Sequence, residues 1–111
     1  MPEDPIDRTV FADLQATAGA EFVGELVDTF FEEAPPMLAE LRAAWAARAT
    51  ERFRRAAHSL KTNAQTFGAM MLGRQARALE LGGLPDDASG IDALEAAYTQ
   101  AAAALKELAH G

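Results

Sequence analysis

The sequence predicts an all-α protein: an antiparallel, up-and-down four-helix bundle with a short N-terminal helix ahead of it. Three observations carry this expectation. Alanine runs through every segment of a chain that is 50% hydrophobic and only 7% aromatic, the composition of closely packed helices rather than of a β-sandwich. Apolar residues recur at spacings of three and four, and no segment alternates with period two over a useful length. At 111 residues, without internal repeat or low-complexity tract, the chain has room for one core. It therefore reads as a single domain, 1–111, with residues 1–6 as an N-terminal tail and 20–109 as the bundle.

Taken in order, Asp7 is a candidate N-cap for a short helix carrying Val10, Phe11 and Leu14, which Gly19 ends. From Ala20 to Ala34, the residues Phe22, Val23, Leu26, Val27, Phe30 and Phe31 form a broad apolar stripe opposite Glu21, Glu25, Asp28, Glu32 and Glu33. Pro35-Pro36 predicts a kink or a break, since both residues lack an N–H and the second disfavours a helical first. A helix from Pro36 to Ala49 would bury Leu38, Leu41 and Trp45, and Thr50 stands where the next N-cap belongs. The helix opened by Thr50 runs to Gly68, with Phe53, Ala56, Ala57, Leu60, Ala64 and Phe67 on its apolar face. Ala69–Leu81 follows, presenting Leu72, Ala76 and Leu79 inward and stopping at Gly82-Gly83. The stretch from Leu84 to Gly90 is dense in turn formers. A last helix, Ile91 to Ala109, carries Ile91, Leu94, Tyr98, Ala101, Leu105 and Leu108 at alternating spacings of three and four. Met70-Met71 and Phe22-Phe30-Phe31 are expected in the core.

Composition removes several function classes. With no cysteine, disulfides, thiol nucleophiles and thiolate metal sites are excluded. The N-terminus is acidic and no window approaches 18 consecutive apolar residues, which predicts neither signal peptide nor membrane span and makes a cytoplasmic location the default. The net charge of −7 argues against general nucleic-acid binding, which is carried by Lys and Arg. The distribution is more telling than the sum. Residues 40–80 hold Arg42, Arg48, Arg52, Arg54, Arg55, Lys61, Arg74 and Arg77 against Glu40, Glu51 and Glu80, a local balance of +5. The rest of the chain holds two cations and 14 acids. A basic face on an acidic molecule calls for an acidic partner.

His58 lies in the middle of that face. On a helix it falls about 140° from the centre of the apolar stripe and points to solvent. The chain offers few alternatives to it. Of the two histidines, His110 is penultimate, on a terminus expected to fray, so a histidine metal site lacks partners and no metal site is expected. No glycine-rich phosphate loop follows a strand. Ser59 neighbours His58 in sequence and so lies about 100° away on the helix, a poor geometry for a nucleophile and base. His58 itself remains as nucleophile, because an imidazole, with an ordinary pKa of about 6.5, is largely unprotonated at neutral pH and can attack phosphorus. Lys61 lies one turn on, able to reach phosphoryl oxygens; Thr62 and Gln65 offer hydrogen bonds, and Arg54 and Arg55 a positive rim.

The run His58-Ser59-Leu60-Lys61, followed by Thr62-Asn63, Ala64 and the Phe67-Gly68 helix stop, resembles the signature of histidine-containing phosphotransfer (HPt) domains of multistep, two-component phosphorelays. The resemblance extends to Phe30-Phe31-Glu32-Glu33-Ala34-Pro35 and to the leucine-spaced helix after Gly68. It implies that His58 is the phosphoacceptor, taking a phosphoryl group from a response-regulator receiver aspartate and passing it to another, and that Lys61 stabilises the phosphate. Glu80 matches a position where the family often has a Gln or Glu that orients the imidazole. Thr62 departs from the family, which commonly has Gly directly after the lysine; a branched side chain there would narrow partner access. The resemblance further implies a monomeric phosphocarrier without autokinase activity, partnered by receiver domains and a hybrid histidine kinase. Magnesium and the acidic pocket would come from the receiver. Arg54, Arg55, Arg74 and Arg77 are the candidate docking residues. The alternatives are a helical adaptor that docks a receiver without transfer and, disfavoured because no ATP-binding segment follows, the phosphoacceptor region of a histidine kinase.

Overall fold

A computed structural model describes residues 4–110. All regular structure among them is helical: α1 (Arg8–Ala18), α2 (Ala20–Ala46), α3 (Thr50–Phe67), α4 (Met70–Gly82) and α5 (Ser89–His110). Helix α2 packs against α3 and α5, α4 also packs against α3 and α5, and α1 lies on α2 and α3. The core is one continuous cluster in which Phe53, Leu41, Leu60, Leu72, Ile91, Leu94 and Leu105 are fully buried. Every residue assigned from sequence to the apolar stripe of α3 is buried.

Asp7 caps α1 as its residue type suggests, its carboxylate accepting from the N–H groups of Thr9 and Val10. Upstream, Met1–Glu3, half of the expected tail, lie outside the described residues. The other half does not behave as a tail. The Asp4 carboxylate accepts from the Ile6 N–H, Ile6 is fully buried, and the Asp7 N–H donates to the Gly68 carbonyl at 2.7 Å. The apolar side chain of Ile6 draws this segment onto the α3–α4 turn.

Of the kink or break expected at Pro35-Pro36, the break is corrected: α2 runs unbroken from Ala20 to Ala46 through both prolines. The missing N–H groups free the carbonyls of residues 31 and 32, but both prolines and Glu32 are exposed, so water can serve there. Meanwhile Ala34 and Leu38, on the other side, are buried and hold the helix to the core. Thr50 is likewise not a cap. It is the first residue of α3, Ala49 occupies the cap position, and no side chain closes it. The chain reverses through Arg48, at φ 54°, whose guanidinium sits 5.8 Å above the Trp45 ring. The Trp45 Nε1–H donates to the Pro85 carbonyl at 2.9 Å and ties down the α4–α5 loop.

Two residues expected in the core lie outside it: Phe22 is 51% exposed and Met70 38%. At its N-terminal end α2 has more apolar surface than neighbours to cover it, and Val23, Val27 and Phe30 take the buried positions. At the other end of the chain, His110 does not fray. Its Nε2 lies 2.8 Å from Asp28 Oδ1, and its ring packs against Gly24 so closely that a Cβ there would meet Cε1 at 3.3 Å. The aspartate and the absent side chain, both on α2, make the berth.

Candidate functional site

Helix α3 carries the site, and its amphipathic pattern fixes which way it faces. With Phe53, Ala56, Ala57, Leu60, Ala64 and Phe67 in the core, His58 is turned outward, its side chain 54% exposed. It is not left loose. The imidazole Nδ1 lies 2.7 Å from Glu80 Oε2, on α4. Glu80 is almost wholly buried, and the Lys61 ammonium, together with the His58 contact, holds its carboxyl below the usual carboxylate range. An ionised carboxylate only accepts. The proton of the neutral ring is therefore on Nδ1, and Nε2, on the opposite edge, carries the free lone pair.

Glu80 serves a second residue at the same time. Lys61 Nζ lies 2.8 Å from its other oxygen, Oε1. The two form a close ion pair, and no other donor reaches the buried Oε1. Lys61 is itself mostly buried, with its side chain 19% exposed. One carboxylate thus bridges the imidazole and the ammonium.

The other residues singled out from sequence are placed less centrally. Thr62 is exposed one turn after His58, and its hydroxyl donates to the His58 carbonyl at 3.1 Å. The side chain is thereby fixed against the helix beside the imidazole. Gln65 is exposed and two turns away; its stem approaches Gly73 of α4, and it makes no contact with His58. Asn63 donates to the Ser59 carbonyl. Arg54 is bonded to Glu51, and Arg55 lies 3.6 Å from the same carboxylate. Arg52 pairs with Glu40 of α2 at 2.8 Å, and Arg42 with both Asp92 and Glu95 of α5. Arg74 and Arg77 are exposed on α4, Arg77 one turn before Glu80. The structure thus brings together His58, Lys61 and Glu80, with Thr62 at their edge. It places the arginines around them, most already paired with neighbours.

What the sequence did not disclose is the acidic side of this rim. Glu51 and Glu40 engage the arginines of α3, and a groove of about 370 Å³ opens between α2 and α3 beside them, floored by Met37 and Ala56 and edged by Arg55 and Ser59. The spacing of Glu51 to Arg54 and Arg55, three and four residues, was the available signal. Among the described residues no group of three or more metal-ligating side chains converges, and no helix is long and apolar enough to cross a membrane.

Chemically, the arrangement presents a nucleophilic nitrogen at the surface, a carboxylate behind the ring to balance charge that develops on it, and a cation within a carboxylate's width. The family model described as "Hpt domain" matches residues 25–104, a span that takes in most of α2, all of α3 and α4, and most of α5. No curated protein and no solved structure gives a significant match to the chain.

Proposed function

We propose that this chain, which belongs to the Hpt domain family and so carries phosphoryl groups within a phosphorelay, does so on His58. Its Nε2 takes the group from a receiver aspartate and yields it to another receiver. The observation that supports this most directly is the pairing of Nδ1 with ionised Glu80 at 2.7 Å on a ring that is half exposed, which leaves one nitrogen available. In the transfer the Nε2 lone pair forms the N–P bond while the acyl P–O bond breaks and its electron pair departs with the aspartate carboxylate. The Nδ1 proton stays where it is, and the positive charge left on the ring faces Glu80, as a carboxylate steadies the imidazolium of a catalytic triad. Lys61 is the cation for the phosphoryl oxygens.

The same reading takes α2–α5 as an antiparallel four-helix bundle. Supporting contacts pair residue 40 with 52 and 37 with 63, 58 with 80 and 65 with 73, 42 with 92 and 28 with 110, so that one partner's number rises as the other's falls. The protein would act as a monomer, without autokinase activity or a cofactor of its own. The receiver supplies the magnesium, a hybrid kinase feeds the relay upstream, and the basic rim of Arg54, Arg55, Arg74 and Arg77 meets the receiver's acids.

Incubation with a phosphorylated receiver and magnesium tests the assignment. The expected result is an acid-labile label on the wild type and none on His58→Gln. A label retained on His58→Gln refutes it, as does binding of the receiver with no phosphohistidine ever formed, the behaviour of an adaptor.

A further inference from the structure

The pairing of Lys61 with Glu80 raises a question that the transfer itself answers. A lysine meant for a phosphoryl group is occupied in the resting protein by a carboxylate 2.8 Å away, and that carboxylate is also the counter-charge of the imidazole. We infer that the two part on phosphorylation: Lys61 leaves Glu80 Oε1 for the phosphoryl oxygens on Nε2, and Glu80 keeps the His58 Nδ1–H alone. This rests on His58 being the phosphoacceptor.

Charge bookkeeping carries the argument. In the neutral, nucleophilic form of the ring, Lys61 and Glu80 cancel each other. After the N–P bond forms at Nε2 with the proton still on Nδ1, the site holds two new charges of opposite sign: a phosphoryl dianion and a positive ring. Each needs a partner, and one resting pair supplies both. The ammonium goes to the dianion, and the carboxylate goes to the ring. No ion has to enter from solvent, and the buried carboxylate, which would be costly alone, is never left without a cation.

The geometry is suited to the exchange. Nζ and Nδ1 sit on the two oxygens of one carboxylate, so the ammonium starts close to the ring and needs only a swing of its four-carbon stem. No donor besides the ammonium holds Oε1, and Glu80 Oε2 is bonded to Nδ1 independently of it, so the ammonium can leave without disturbing the imidazole. Glu80 is in this sense a positioning residue, acting on the reaction through His58 and Lys61.

The test uses potassium phosphoramidate as phosphodonor, from which ammonia departs, so that no receiver is needed. The Lys61 ammonium and His58 ring nitrogens are followed by ¹⁵N NMR in the intact chain. Exchange requires the Lys61 resonance to move on phosphorylation of the wild type while Nδ1–H stays bonded. A second readout is the phosphohistidine half-life in Lys61→Met, measured in the wild-type and the Glu80→Gln backgrounds. Because Lys61 must surrender its resting partner only where Glu80 is present, its removal should shorten the half-life more in the Glu80→Gln background, by about fivefold. A Lys61 resonance that does not move, or an equal effect in both backgrounds, overturns the exchange. Labelling of His58 by phosphoramidate but by no receiver would overturn the relay assignment and leave these two readouts decisive for the exchange.

Discussion

Gly68 is where the backbone tolerates least change, and replacing it by alanine gives a prediction whose parts can be separated. The residue closes α3 in the left-handed region, at φ 79° and ψ 19°. A Cβ built there would lie 2.9 Å from the Asp7 carbonyl oxygen and 3.0 Å from the Val10 Cβ. The left-handed conformation costs an alanine about 1–2 kcal/mol. Relief of the contact must push Asp7 away and lose its 2.7 Å hydrogen bond to the Gly68 carbonyl, worth about 1 kcal/mol. Displacing Asp7 also lifts buried Ile6, whose full burial contributes roughly 2 kcal/mol. Against these stands a gain of about 0.7 kcal/mol from the stiffer unfolded chain. The net expectation for Gly68→Ala is a loss of about 2–4 kcal/mol, or a fall in Tm of about 10–20 °C, read by urea titration and thermal melting. Gly68→Asn separates the two causes, since asparagine accepts the left-handed region but still carries a Cβ. It should recover less than half of the loss. Labelling at His58, well below the melting range, should be unchanged because the turn lies ten residues away. A Gly68→Ala protein within about 0.5 kcal/mol of wild type would refute the reasoning. Full recovery by asparagine would refute the steric part of it.

Other expectations follow from the electrostatics and from Thr62. Glu40, Glu51 and Glu80 are held below their ordinary 4.5 by bonds to Arg52, Arg54 and Lys61 respectively, and Asp4 and Asp87 below 3.8 by hydrogen bonds to the Ile6 backbone and the Ser89 side chain. Each therefore ionises at lower pH folded than unfolded, so its contribution is complete above the ordinary value and is lost as pH falls through the folded one. Stability from these groups should be flat above about pH 5 and decline below it, as urea midpoints taken from pH 7 to pH 3 would show; a decline beginning near neutrality would contradict this. Thr62→Gly should cost about half a kcal/mol of helix stability and speed phosphoryl exchange with a receiver, measured by rapid quench; an unchanged or slower rate would remove Thr62 as an obstruction. Glu51→Gln should release Arg54 and Arg55 and raise the association rate of an acidic receiver at low salt, the gain vanishing at high salt, and a salt-independent effect would argue against steering.

Much of the fold was legible because helical periodicity reports burial directly. The α3 stripe, the Asp7 cap and the Gly19 and Gly68 stops could each be assigned from a local rule, and all of them appear in the structure. Misplaced features were those where a local rule meets a non-local one. A proline pair breaks an isolated helix, but α2 continues through it with Ala34 and Leu38 anchored in the core. A threonine before a helix invites a capping role, yet the turn through Arg48 places Ala49 at that position. Phe22 and His110 depend on which surfaces lie opposite them, and spacing along one helix says nothing of that.

The candidate site divides along the same line. His58 could be found from α3 alone, because its direction follows from the stripe opposite it. The partner of Lys61 could not, since it depends on how α4 is turned, and that is set by Leu72 and Ala76 packing inward, a matter outside α3. The basic rim is subject to the same limit. Counted along the chain, residues 40–80 carry a balance of +5, yet Arg42, Arg52, Arg54, Arg55 and Lys61 each sit against a carboxylate of this molecule. At distances beyond a few ångströms those pairs are dipoles and only the net charge is felt, screened over about 8–10 Å at ordinary salt. On contact, a receiver must trade its own acids for those already in place, and the gain of one exposed pair is nearly offset by the loss of another. The rim should therefore govern how fast a receiver arrives more than how long it stays.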